Sequence, residues 1–103
     1  MAIDNVTILV GEPWDFTSND GANKFVGEII QHIKKGKEDR YLIKVKNPFE
    51  LKNRFVKYVT TQTRNSPDNI NIYYIPDKFI NEFYDLKSIK DHLEFIAIGS
   101  FKN

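Results

Sequence analysis

The pattern opens with Val6-Thr7-Ile8-Leu9-Val10, mostly β-branched and ended by Gly11 and Pro13, which predicts a first strand. Over residues 40–46 the chain alternates, with Tyr41, Ile43 and Val45 set against Leu42, Lys44 and Lys46. That period of two marks a half-buried strand. Residues 70–75, stopped by Pro76, predict another. Residues 93–101 (LEFIAIGSF) predict a last one, apolar on both faces and therefore central or covered by a helix. Asp77 is placed to cap a short helix over residues 77–91, with Phe79, Ile80, Phe83, Tyr84 and Leu86 as its apolar face. Residues 88–92 either extend it or form a second turn.

Two segments carry both periods. In residues 24–33, Phe25, Val26, Ile29, Ile30 and Ile33 fall at helical spacing, with Asp20 as an N-cap and Gly36 as a C-cap. Gly21, Gly27 and the Ile/Val content favour a strand instead. In residues 48–62, Asn47-Pro48 followed by Glu50 resembles a helix start, and Leu51, Phe55, Tyr58 and Val59 form a possible stripe. Against that, Lys52-Asn53 can turn a hairpin, and Val59-Thr60-Thr61-Gln62-Thr63 is poor helix and good strand. Residues 34–39 read as a hairpin loop and residues 65–69 as a plain loop.

Two architectures follow. With both segments extended, the order is β-β-β-β-β-α-β. This is a mainly β (α+β) chain, built as a small, strongly bent antiparallel sheet or a barrel of SH3-like or OB-like size, with one short helix near 77–91. With both helical, the order becomes β-α-β-α-β-α-β, a small α/β doubly wound sheet. The extended reading is the one adopted. The doubly wound alternative would need a phosphate loop after the first strand, and VGEPWDFTSNDG contains neither Gly-x-Gly-x-x-Gly nor a Walker-type loop.

At 103 residues the chain predicts one globular domain over 1–103. Fourteen per cent aromatics allow a dense core without cysteines, of which there are none. That absence excludes disulfides, thiolate metal sites and a Cys nucleophile, and it suits a reducing, cytoplasmic setting. No stretch has the length or apolarity of a signal core or a membrane span, so no membrane association is expected. Twelve Lys against three Arg, with many Ile and Asn, is the bias of an AT-rich bacterial or phage genome.

The net charge of +1 hides a segregation. Residues 1–20 carry −4, residues 21–60 carry +6 and residues 61–103 carry −1. A basic middle attracts phosphates or acidic partners, while the ordinary reading is that Lys lines solvent-facing strand positions and discourages edge pairing.

Three candidate chemistries remain. Glu12, Trp14 and Asp15 share the turn GEPWDF. Trp14 there is either a core plug, with Phe16, or a recognition anchor whose flanking carboxylates select a basic partner. The basic–aromatic interleave of Arg40, Lys44 and Lys46 with Arg54, Lys57 and Tyr58 is the best nucleic-acid signal, because it sets cations and rings on neighbouring strands. The alternation does not separate a basic face cleanly, since Phe55 shares a face with Lys57. Finally, Glu12, Asp15 and Asp20 could meet a hard cation, but their spacing fits no calcium loop, and His32 and His92 lie in no metal-ligand spacing. No metal or cofactor is therefore expected.

The expectation that follows is a non-enzymatic binding module docking another macromolecule, foremost a protein. A partner-neutralising role of the immunity or anti-defence type suits a chain of this size. The alternative is a single-stranded nucleic-acid-binding β-barrel using the basic–aromatic face. Exposed sheet edges would also permit a weak homodimer.

Overall fold

The structure is a computed structural model and describes residues 5–11, 24–51, 54–64, 66 and 69–102. Six strands, β1 (Asn5–Val10), β2 (Lys24–Lys35), β3 (Glu38–Leu51), β4 (Arg54–Thr63), β5 (Ile70–Tyr74) and β6 (Glu94–Lys102), form a closed antiparallel barrel. Each strand pairs with the next along the chain, and β6 returns to β1 through Thr7↔Lys102 to Val10↔Gly99. The mainly β expectation with a small barrel is what is found, and the doubly wound α/β alternative is not. Both ambiguous segments are strands.

The reason for their ambiguity is visible in the register. In β2 the pairing with β3 shifts between Ile29 and Gln31. A bulge of this kind adds a residue and reverses the alternation beyond it. Phe25 and Ile29 pack in the barrel core, whereas Ile33 packs in a second core outside it. Apolar residues four apart, suggesting a helix, therefore serve two opposite faces of one bulged strand. A second irregularity, between Lys44 and Phe49, separates two paired stretches of β3 and β4. The β2–β3 hairpin turns at Gly36-Lys37, where Gly36 takes φ 58°, a left-handed conformation that glycine adopts without penalty. The tip of the β3–β4 hairpin, between the paired Leu51 and Arg54, lies outside the described residues.

Inside the barrel, Ile8, Ile43, Val56, Val59, Ile70, Ile72 and Ala97 are fully buried. The seam between β1 and β6 needs glycine. A Cβ on Gly99 would stand 2.4 Å from the Leu9 carbonyl oxygen and 2.9 Å from Ile72 Cδ1. Thr61, also interior, keeps its hydroxyl oxygen buried without a hydrogen-bond partner.

Between β5 and β6 the chain leaves the wall in three short pieces: a 3-10 turn at Asp77–Glu82, the single-turn helix α1 (Leu86–Ile89) and a second 3-10 turn at Lys90–His92. This insert occupies the span expected to be helical, with two differences. Asp77 makes no side-chain cap, since Pro76 holds the N-cap position. The expected apolar face is also broken, because Phe83 is fully buried while Tyr84 is 67% exposed. A 3-10 turn repeats every three residues, not 3.6, so it cannot carry the stripe of an α-helix.

The insert packs on the outside of β3 and β4. Leu42, Ile75, Phe83 and Ile89 form a second core there, with Ile33, Tyr58, Phe79, Ile80 and Leu93 around it. Of the two places expected for the apolar last strand, central or covered by the helix, β6 takes the first: it is a wall strand paired with β5 and β1, and its Phe95 remains 47% exposed. Among the described residues no helix is long and apolar enough to cross a membrane. Closure of the ring removes the open edges on which a homodimer by edge pairing would depend.

Candidate docking groove and the residues around it

An open groove of about 530 Å³ lies where the start of β4, the end of β5 and the first 3-10 turn meet. Pro76, two residues beyond β5, sets the entry to the turn at φ −63°, ψ 144°, and Asp77 and Lys78 after it line the groove. Phe55, paired with Glu50 on the outward phase of β4, stands 57% exposed at its edge. The Arg54 guanidinium carbon lies 5.6 Å from the centre of the Tyr74 ring, and its Nη2 donates to a Glu94 carboxylate oxygen. Lys57 Nζ lies 3.1 Å from Asp77 Oδ2. Rings and charges of both signs, Arg54, Lys57 and Lys78 with Asp77, thus line one depression. Close by along β6, Phe95 stacks edge-on against Tyr73 at 5.7 Å.

The six residues singled out for nucleic acid do not form one face. Arg40 is 3% exposed. Its Nε donates to Glu38 Oε1 at 2.8 Å, its Nη1 donates to the Phe83 carbonyl at 3.0 Å, and its guanidinium lies 4.9 Å from the Phe83 ring. The residue has the outward phase expected of it, but the insert covers that position, so it joins the second core instead of the surface. Lys44 and Lys46 are exposed, with no ion-pair partner among the described residues. Lys44 lies directly across from Glu28 on one side and Tyr58 on the other, and Tyr58 is half-buried against the second core. Arg54 and Lys57 belong to the groove, each already held by a carboxylate. Glu12, Trp14 and Asp15, the candidate partner-binding residues, lie outside the described residues, as does Asp20.

A contact that sequence spacing did not reveal joins His32 and Asp39 across the β2–β3 hairpin, with His32 Nε2 2.5 Å from Asp39 Oδ1. The imidazole stacks flat on Tyr41, with ring centres 4.0 Å apart and a 6° tilt, and Tyr41 meets Phe101 edge-on at 5.3 Å. Burial, and secondarily the Asp39 charge, raise the Tyr41 phenol above its ordinary value of 10.0. The signal was present in the hairpin: residues flanking a two-residue turn at equal distance face each other, and His32 and Tyr41 do so. The described partners of His32 are Asp39 and the Tyr41 ring, and a nucleophile to activate is not among them. His92 stacks on Phe79 at 4.3 Å. Among the described residues no three His, Asp or Glu side chains gather as a metal site.

Comparison with protein-family models, with curated proteins and with solved structures found no match to this chain.

Proposed function

We propose that the chain is a non-enzymatic docking module that binds a protein, with the groove around Phe55 as its contact surface. The observation that carries this reading is the company Phe55 keeps. An exposed aromatic stands beside Arg54 and Tyr74, and two of the three cations lining the groove, Arg54 and Lys57, already have carboxylate partners in Glu94 and Asp77, while the third, Lys78, lies over the Phe79 ring. Aromatic and Arg side chains in a desolvatable depression are what dominate binding energy at protein interfaces. A polyanion would have to displace those carboxylates before using the same cations, and Asp77 and Glu94 would repel its phosphates. Trp14, with Glu12 and Asp15, supplies a second anchor of the same chemistry. The cysteine-free composition suits a cytoplasmic partner-neutralising protein of the immunity or anti-defence type.

The test compares wild type with Phe55→Asp and Trp14→Ala in affinity capture from the native host, with binding of each captured protein then measured using purified components. Loss of an aromatic hot spot is worth about 2 kcal/mol or more, so Phe55→Asp should weaken binding by about 30-fold or more while leaving the melting temperature unchanged. Partners held equally by wild type and Phe55→Asp would overturn the assignment of the groove. Salt-sensitive binding of single-stranded oligonucleotides, weakened by charge reversal at Lys44 and Lys46, would instead establish the nucleic-acid reading.

A further inference from the structure

A second depression, of about 220 Å³, lies between the barrel wall and the insert. Thr60, Gln62 and Tyr73 line it from β4 and β5, and Leu86, Lys90 and Leu93 line it from the insert. Arg40, buried beneath the insert, also borders it. We propose that this crevice binds a small organic carboxylate, with the acid group held by Arg40 and Lys90 and an apolar body between Leu86 and Leu93.

The charge balance of Arg40 supports this. A guanidinium carries five N–H donors, and among the described residues two of those on Arg40 have acceptors, Glu38 Oε1 and the Phe83 carbonyl. Thr61 Oγ1 is the one sealed side-chain polar atom without a partner among the described residues. Arg40 Nη2, which has no acceptor among the described residues, is not such a sealed atom, and the crevice is an open space that Arg40 borders. Its countercharge is incomplete as well, because the Glu38 side chain is 37% exposed and shares its attraction with water. A buried cation with partial compensation is unfavourable, and an incoming anion relieves it. Lys90 adds a second positive charge, and among the described residues it has no ion-pair partner and no carboxylate lines the crevice.

Size and polarity narrow the ligand. A closed cavity of about 150 Å³ accepts a benzene ring, so this space suits a single ring or a short chain bearing one acid group. The planar two-oxygen face of a carboxylate matches the guanidinium fork. Inorganic phosphate matches the fork too, but it brings no apolar surface to Leu86 and Leu93 and loses more hydration on entry. The proposal is independent of the Phe55 groove, which lies on other residues.

The test is a titration of the full chain with benzoate, hexanoate, benzyl alcohol and inorganic phosphate, followed by amide, methyl and Arg Nε–H chemical shifts. Benzoate or hexanoate should give saturable shifts at the Leu86 and Leu93 methyls and at Arg40 Nε–H. Benzyl alcohol, which keeps the ring and loses the charge, should bind about tenfold more weakly or worse. Lys90→Gln, at an exposed position, should weaken benzoate several-fold without moving the melting temperature. Arg40→Lys, which keeps the charge and loses the fork, should weaken it further, and Lys90→Gln decides the matter if that variant does not fold. Phe55→Asp should leave carboxylate binding untouched, which separates failure here from failure of the docking groove. Equal binding of benzyl alcohol, a preference for phosphate, shifts that do not saturate, or benzoate binding unchanged in Lys90→Gln would each overturn the proposal.

Discussion

The two apolar cores of this small protein are built on opposite principles. The barrel interior is lined by β-branched residues from all six strands, and every strand in it is hydrogen-bonded on both sides. The outer core is fixed by few residues, chiefly Leu42, Ile75, Phe83 and Ile89, under an insert of three short turns whose backbone hydrogen bonds are local, such as Phe83 N–H to the Ile80 carbonyl and Ser88 N–H to the Asp85 carbonyl. Arg40 bridges the two, rooted in β3 and bonded to the carbonyl of Phe83. The contrast teaches that closure of the ring, not the helical segment, holds this fold together. The insert is a layer laid upon it, and the groove beside Phe55 and the crevice beside Arg40 lie along its borders.

The largest effect should come from the ring itself. Ile72→Ala, at a fully buried wall position, is expected to lower global stability by about 4 kcal/mol, with hydrogen exchange accelerating in every strand, as read by denaturant unfolding and amide exchange. Phe83→Ala should behave differently. Its loss of global stability should stop short of the roughly 3–5 kcal/mol of a fully coupled Phe→Ala change, because the insert can detach while the barrel persists. Exchange should then rise over residues 77–93 and stay slow in β4 and β5; a uniform rise throughout would show one cooperative unit and dissolve the contrast. The smallest effect has the opposite sign. Thr61→Val removes a sealed hydroxyl that has no partner and keeps the shape, so it should stabilise the barrel by about 1 kcal/mol, seen as a higher denaturant midpoint at unchanged slope.

The order of elements was legible because turn residues and β-branched runs punctuate this chain at regular intervals. Gly36, Pro76 and the 65–69 loop fall where the strands end. What obscured β2 was the bulge after Ile29, since a phase reversal cannot be told from a helical repeat without knowing the partner strand. The site was less legible for a related reason. Alternation placed Arg40, Lys44 and Lys46 on one face correctly, but which part of that face the insert would cover is a tertiary fact. Local pattern contains nothing to separate the buried Arg40 from the exposed Lys44. Phe55 was read as part of a possible helical stripe or as sharing a strand face with Lys57, and not as a contact residue, because its place in the groove depends on where β5 ends and Pro76 turns. His32 and Asp39 meet only once the hairpin register is known.

The pairing of Thr7 with Lys102 has a consequence for biosynthesis. A ribosome delivers β1 long before β6, so during translation the first strand can satisfy its backbone on one side only, against β2. Until Gly99 slides beneath the Leu9 carbonyl, the nascent chain presents an unpaired ribbon with Ile8 and Val10 uncovered. Contacts so far apart in sequence form slowly, and that waiting interval is when this protein is most open to aggregation or to capture by a chaperone.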